Sequence, residues 1–182
     1  MSELETYKID LKGLKEDETR LDYDLDDRYF AALDGAELEH GALHVSVSIR
    51  KTAGLYELRL HAEGTVSVSC DLCLDDMDQP ICTDNRLLAR LTALPKGETM
   101  RATDDDELVE VAEDDAVLDL SWFIYEMIML AIPIKHVHAP GKCNHVMAEK
   151  LKELSAARSS DDADEKVDPR WSALQKLIIN NQ

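Results

Sequence analysis

The stretch GALHVSVSIRKTAGLYELRLHAEGTVSVSC, residues 41–70, determines how the rest of the chain is interpreted. Apolar and polar side chains alternate along it, which is the two-residue period of strands with one buried face. The apolar positions form three runs: Leu43, Val45, Val47 and Ile49; Tyr56, Leu58, Leu60 and Ala62; and Val66, Val68 and Cys70. Because Gly54 and Gly64 separate these runs, the pattern predicts an antiparallel meander between about 42 and 70.

The same period extends to both sides of the meander. Apolar residues alternate with polar ones at Tyr7, Ile9 and Leu11 upstream, and at Leu87, Ala89, Leu91 and Ala93 within residues 86–94. Residues 108–111 are long enough for one further short strand, which we expect at the edge of the sheet. The sequence therefore predicts a β-rich part over residues 1–111.

The period changes to that of a helix after residue 117. One apolar stripe is formed by Leu120, Phe123, Ile124, Met127 and Ile128. Asp119 is placed to cap this helix, and Pro133 requires it to end nearby. A second helix is predicted from Asn144, as its cap, to about Arg158. The first of these helices should pack on the sheet.

The last part of the chain is predicted to be a tether and a short helix. Residues 159–167 are polar and acidic, which indicates a flexible linker, and residues 168–182 form an amphipathic helix that begins at Asp168 and Pro169. The fold class is thus α+β: an antiparallel sheet or barrel-like module, packed with a few helices in the C-terminal half. Residues 1–158 make one domain, helical over 117–158, and the strand order stays open.

Charge excludes several classes of protein. With 38 acidic against 20 basic residues, the formal charge of −18 should repel the protein as a whole from nucleic acid and anionic lipid, which argues against a general nucleic-acid binder. The longest apolar stretch, residues 122–134, is shorter than the about 20 residues that span a bilayer. The first thirty residues contain no apolar run of the kind that directs export, so we expect a cytoplasmic protein whose cysteines are reduced.

The cysteines carry the strongest chemical signal. Cys70 and Cys73 form a Cys-x-x-Cys pair at the tip of a predicted strand, and His138 with Cys143 supplies a second half for a tetrahedral zinc site. His136 or His145 is an alternative to His138. A different interpretation treats Cys70 and Cys82 as small buried residues and the histidines as loop residues. A redox motif is a further alternative, although this pair follows strands rather than opening a helix.

Negative charge occurs in two blocks. One block occupies residues 16–27; the other contains Asp104, Asp105, Asp106, Glu107, Glu110, Glu113, Asp114 and Asp115. Such runs are often solvated loops, but they also serve as electrostatic docking surfaces for basic proteins. We expect the acidic blocks to dock a partner, with Trp171, Leu174 and Ile178 as an apolar anchor.

The order of the motifs resembles a known family. Cys-Asp-Leu-Cys-Leu at 70–74 is followed by an acidic segment, Asp119-Leu120, Glu-Met-Ile-Met-Leu-Ala-Ile-Pro at 126–133, and Asp-Pro-Arg-Trp at 168–171. This order is similar to that of the YceD-like proteins, which act in accumulation of 23S ribosomal RNA. Two departures concern the metal site: Leu72 replaces the usual arginine, and His136, His138 and Cys143 stand where a second cysteine pair is common.

The resemblance implies a non-enzymatic factor in 23S rRNA accumulation and large ribosomal subunit assembly. Together with the charge, it favours a protein that holds a basic ribosomal protein or assembly factor, without a membrane or small-molecule ligand. Direct contact with RNA stays open, and zinc is the one cofactor indicated. The alternatives are a zinc or redox protein built on the Cys/His set, and an acidic interaction domain unrelated to ribosomes.

Overall fold

The computed structural model describes residues 3–14, 18–52, 54–95, 98–102 and 108–154. A 3₁₀ turn at Glu3–Tyr7 precedes the other elements. The strands are β1 (Lys8–Asp10), β2 (Glu18–Leu25), β3 (Gly41–Thr52), β4 (Leu55–Ser69), β5 (Asp76–Thr92), β6 (Met100–Ala102), β7 (Leu108–Ala112) and β8 (Val117–Asp119). The helices are α1 (Asp27–Ala32), α2 (Ser121–Ala131) and α3 (His145–Leu154). The predicted linker and C-terminal helix lie outside the described residues.

The fold is α+β, built on a mostly antiparallel sheet. Its strand order is β2-β3-β4-β5-β7-β6, and β1 pairs with β8 in a separate two-stranded sheet. The pairing between β5 and β7 is parallel, whereas the other pairs are antiparallel. The sheet is open, which decides against the barrel-like alternative. Residues 108–111 do form a strand, but β7 lies between β5 and β6 rather than at the edge.

The predicted meander is present with one strand fewer. The runs around Leu60 and Val66 belong to one continuous strand, β4, and Gly64 lies within it rather than in a turn. A Cβ at Gly64 would come within 2.2 Å of the Ala42 carbonyl oxygen on β3. Gly64 is therefore required by the close approach of two backbones, at a φ of +150°.

The first acidic block is ordered over its described part, which corrects its interpretation as a solvated loop. Residues 18–25 form β2, with Asp22 and Asp24 facing solvent while Leu25 is buried. The Asp26 side chain accepts a hydrogen bond from the N–H of Arg28 and so caps α1. Neither β2 nor α1 was predicted, because the density of charge obscures the alternation.

The core lies between the inner face of the sheet and the helices α1 and α2. The apolar stripe predicted for α2 is confirmed, since Leu120, Ile124 and Ile128 are fully buried. Asp119 accepts a hydrogen bond from the N–H of Ser121 at 2.9 Å, as expected for a capping carboxylate. The hydroxyl of Tyr29 donates to the Ser121 carbonyl at 2.6 Å, which fixes α1 against the start of α2.

Candidate functional site

The structure brings together the four residues of the predicted metal site. Ligand atoms of Cys70, Cys73, His138 and Cys143 all lie within 4.8 Å of one another. The first two follow β4, at the turn that leads to β5, and the other two lie between α2 and α3. Cys70 and Cys73 are buried, whereas His138 and Cys143 are half-buried.

The distances fit a tetrahedral ion. The sulfur atoms of Cys70 and Cys143 are 4.0 Å apart, and the Cys73 sulfur lies 3.4 Å from Nδ1 of His138. Zinc bound at its usual distances holds two thiolate sulfurs about 3.8 Å apart and a sulfur and an imidazole nitrogen about 3.6 Å apart. Three cysteines and one histidine form a closed ligand set of the kind that structural zinc sites use.

The Cys-x-x-Cys turn is shaped by its own backbone. The N–H of Leu74 donates to the Cys70 carbonyl at 2.9 Å, and the N–H of Cys70 donates to the Asp75 carbonyl at 2.9 Å. Leu74 has a φ of +62°, a conformation that few non-glycine residues adopt. These bonds close the turn so that both thiols point to the same side.

The second half of the site is tied to this turn. The N–H of Asp71 donates to the His136 carbonyl at 3.0 Å, and the N–H of His136 donates to the Asp71 carboxylate at 2.8 Å. The Asn144 side chain donates to Asp75 at 3.2 Å. The sequence patterns did not predict these hydrogen bonds, which we call the clamp. The clamp holds His136 at Asp71, outside the set of four residues whose ligand atoms converge. His145, the other alternative, is exposed at the start of α3.

The thiols influence one another strongly. Burial acts to raise the pKa of Cys70, but N–H groups of His138, Cys73 and Leu72, together with the His138 side chain, lower it to about 6. Burial, followed by hydrogen bonds and negative charge from Cys70 and Cys73, raises the pKa of Cys143 to about 11. Cys70 thus loses its proton readily, whereas the negative charge this creates opposes deprotonation of a second thiol. A bound divalent cation would cancel that repulsion.

Cys82 is separate from this set. Its side chain is exposed on the outer face of β5, so the interpretation that pairs it with Cys70 as a buried residue is wrong for Cys82. Cys70 is fully buried, as that interpretation requires.

The predicted acidic docking residues are placed only in part. Glu110 lies on β7 and accepts a hydrogen bond from Arg90 at 2.6 Å, whereas Asp114 and Asp115 are exposed in the turn after β7. Residues 104–107, and with them Asp104, Asp105, Asp106 and Glu107, lie outside the described residues. The same holds for Trp171, Leu174 and Ile178.

A groove beside the Cys/His cluster was not predicted. It has a volume of about 480 Å³ and lies between the loop after α1, the end of β4 and the segment after α2. Its apolar surface includes Val68, Met129 and Ile132, and its carboxylates are Glu37, Glu39 and Asp76. Among the described residues that line it there is no lysine or arginine. We call this feature the acidic groove.

The walls of the acidic groove are fixed by hydrogen bonds. The hydroxyl of Tyr125 on α2 accepts from the N–H of Glu37 at 2.7 Å, which holds the loop after α1. The N–H of Ser67 on β4 donates to the His40 carbonyl at 2.9 Å and holds the other end of this loop. His136, clamped by Asp71, lines the groove as well, so the groove and the Cys/His cluster share a wall.

The described residues thus form an α+β domain that combines an open, mostly antiparallel sheet with a Cys/His cluster able to hold a metal ion. The chain belongs to the family of the large ribosomal RNA subunit accumulation protein YceD, whose sequence model matches residues 58–178. This match covers about two thirds of the 182 residues, including the four cysteine and histidine ligands. The resemblance seen in the motifs is confirmed, and membership associates the chain with accumulation of large-subunit ribosomal RNA.

Comparison with curated proteins and with solved structures yields no match for this chain. No helix in the described ranges combines the length and the apolar character needed to cross a membrane.

Proposed function

We propose that the protein supports 23S rRNA accumulation by holding a basic ribosomal protein or assembly factor of the large subunit in the acidic groove. The observation that carries this proposal is the groove itself, whose lining combines three carboxylates with apolar side chains and includes no lysine or arginine among the described residues. A peptide in which lysine or arginine flanks an apolar side chain would match both the carboxylates and the apolar residues of the groove. Complementary fields of this kind select partners and accelerate their association.

The Cys/His cluster supports this function as a structural zinc site. The ion would be held by Cys70, Cys73, His138 and Cys143, joining the turn after β4 to the segment after α2. Because His136 lies between these ligands and the groove, metal binding would fix one wall of the groove. Four protein ligands complete the coordination of zinc, which favours a binding protein over a metal-dependent enzyme.

The remaining predicted docking residues extend this proposal. Asp114 and Asp115 are exposed and able to attract a basic partner at longer range. Trp171, Leu174 and Ile178 are retained as a proposed apolar anchor on the C-terminal helix.

The test uses RNA-free proteins extracted from large ribosomal subunits and the tagged full chain as bait. We expect capture of basic proteins at 50 mM salt and their release by about 500 mM, because screening weakens contacts between exposed charges. Replacing Glu37→Gln, Glu39→Gln and Asp76→Asn together should reduce capture about tenfold, since the neutral side chains keep the shape of the groove but not its charge.

The matched control removes the same charge elsewhere, through Glu126→Gln, Glu149→Gln and Glu153→Gln on α2 and α3. This control should capture basic proteins as the native chain does. Capture that is indifferent to salt, or equal loss in both triple variants, would overturn the groove as the docking site.

Two measurements in the native host separate the alternatives. Co-sedimentation of the tagged protein with immature large subunits, and loss of 23S rRNA on deletion, are expected for an assembly role. A partner unrelated to ribosomes would indicate the acidic interaction domain, and turnover that depends on Cys70 and Cys73 would indicate the redox enzyme.

A further inference from the structure

Arginines are grouped on one part of the outer face of the sheet, although the protein as a whole and the rest of that face are acidic. The chain contains nine arginines. Five of them face solvent on the outer side of adjoining strands: Arg20, Arg50, Arg59, Arg86 and Arg90. A random distribution over an acidic surface would not place them on one face, so this arrangement calls for a physical reason. We call it the arginine face.

Strand register aligns these residues in rows. Arg20 on β2 is opposite Ser48 on β3, Ser48 is opposite Arg59 on β4, and Arg59 is opposite Arg86 on β5. The row therefore crosses four strands, about 14 Å at the usual strand spacing. Arg50 lies in the next row, between Glu18 on β2 and Glu57 on β4.

The two glutamates in these rows, Glu18 and Glu57, are less exposed than the arginines they contact. The side chains of Arg20, Arg50 and Arg59 are 80%, 58% and 68% exposed, whereas those of Glu18 and Glu57 are 40% and 19% exposed. Glu57 accepts from Arg59 at 3.2 Å and from Arg86 at 2.9 Å. Within these two rows the glutamates thus orient the guanidinium groups from beneath, and the most exposed charged side chains are arginines.

A shallow depression of about 350 Å³ adjoins this row. Ser48 lines it between Arg20 and Arg59, and Ser46 lines it in the next row, between Asp22 and His61. Hydroxyl and guanidinium groups are the donors that proteins direct at phosphate oxygens. Asp22 and Asp84 line the other end of the depression. They belong to the row next to that of Arg59, with His61 opposite Asp84, so the arginines end where this acidic row begins.

We propose that the arginine face binds the phosphate backbone of RNA. This inference goes beyond the acidic groove and does not rest on it. The row containing Arg59 is about 26 Å along β4 from Ser67 at the groove, so both surfaces are accessible at the same time. The outward positions described on β2 to β5 carry no phenylalanine, tyrosine or tryptophan for base stacking, and the two outward histidines, His44 and His61, pair with aspartates, so the contact is to the backbone and independent of sequence.

The test measures fluorescence anisotropy of a labelled single-stranded RNA of about 20 nucleotides and mixed sequence, titrated with the full chain. Replacing Arg20, Arg50 and Arg59 together by glutamine should weaken binding about tenfold or more at 50 mM salt. The slope of log affinity against log salt should fall by about 2, because each lost phosphate contact contributes about 0.7 on a single strand.

The matched control replaces Arg28, Lys150 and Lys152 by glutamine, which removes the same charge from α1 and α3. It should bind RNA as the native chain does, and both variants should melt near the native temperature because exposed ion pairs add little stability. Absence of native binding at 50 mM salt, or equal weakening in the two variants, would overturn the proposal. Displacement of the RNA by an equal charge of poly-glutamate would assign the face to an acidic polypeptide instead.

A further variant separates this proposal from the proposed function. The groove variant with Glu37→Gln, Glu39→Gln and Asp76→Asn should keep full RNA affinity, whereas the arginine-face variant should keep capture of basic proteins. A negative result in the RNA-binding experiment would therefore not change the interpretation of the protein-capture experiment, and the reverse also holds.

Discussion

Zinc removal is expected to lower the unfolding temperature of the protein by about 8 to 16 °C. With free zinc about a thousandfold above its dissociation constant, binding to the folded chain adds about 4 kcal/mol of stability. In a domain of this size each kcal/mol corresponds to about 2 to 4 °C. The measurement is thermal unfolding of the zinc-loaded chain with and without a chelator, accompanied by metal analysis. We expect about one zinc per chain before chelation and recovery of the higher midpoint when zinc is returned.

Cysteine variants test whether the Cys/His cluster is the source of this effect. Replacing Cys73 by serine should abolish stoichiometric zinc and give the lower midpoint, because one of four ligands is lost. Cys82→Ser is the matched control: the same chemical change at an exposed position outside the cluster should leave both zinc content and midpoint unchanged. His138→Ala should resemble the ligand variant, whereas His136→Ala should retain zinc.

Two results would contradict a structural metal here. One is a native chain that carries no zinc after growth with zinc supplied, while the variant with alanine at Cys70 and Cys73 is equally well folded. The other is equal zinc loss from the Cys73 and Cys82 variants.

The sequence predicted the centre of the fold because β3 and β4 are half-buried strands whose side chains alternate strictly. Leu43, Val45, Val47 and Ile49 are all buried, as the period requires. The same alternating pattern wrongly predicted a turn at Gly64, because a glycine in such a stretch indicates a turn as readily as a close backbone approach. Only the position of the neighbouring strand distinguishes these two roles, and that is a tertiary property.

The edge of the sheet was harder to predict for an electrostatic reason. On β2, Leu21, Tyr23 and Leu25 alternate, but the intervening charges make the segment look like a solvated loop. Those charges are the outward residues of an edge strand, where natural sheets commonly place them. The parallel pairing of β5 with β7 joins residues that no local period relates, because the connection between them is long.

The convergence of Cys70, Cys73, His138 and Cys143 could be predicted because these residues form two local pairs of side chains that suit one kind of ion. The acidic groove could not, because its carboxylates are far apart in sequence, at residues 37–39 and 76. Tyr125 brings the loop after α1 against the end of α2, and nothing in the sequence near Tyr125 indicates that contact. The arginine face was missed for the same reason: its members are single outward positions on four strands, visible only in register.

Gly64→Ala is expected to destabilise the fold by about 3 kcal/mol or more. The added Cβ would lie 2.2 Å from the Ala42 carbonyl oxygen and 2.6 Å from the Leu43 Cα, both backbone atoms of β3. Since neither atom is the end of a flexible side chain, β3 and β4 must separate at the centre of the sheet. The left-handed φ adds further cost for any residue with a Cβ. Thermal unfolding should show a midpoint lowered by about 6 to 12 °C.

Gly35→Ala provides a comparison for Gly64→Ala. Gly35 has a φ of +83°, but a Cβ there would meet nothing within 4 Å, so the substitution introduces backbone strain without a clash. We expect a loss of about 1 kcal/mol at Gly35. The two positions differ in φ, +83° at Gly35 and +150° at Gly64, so the difference between the variants combines the close approach of β3 and β4 with any difference in backbone strain. Equal midpoints for the two would mean that the strands yield at Gly64 without cost, and the account of β4 as a strand fixed by that contact would be wrong. A large difference would show that the sheet is sensitive at Gly64, which lies between Ala62 and Val66, whose buried side chains hold β4 against the core.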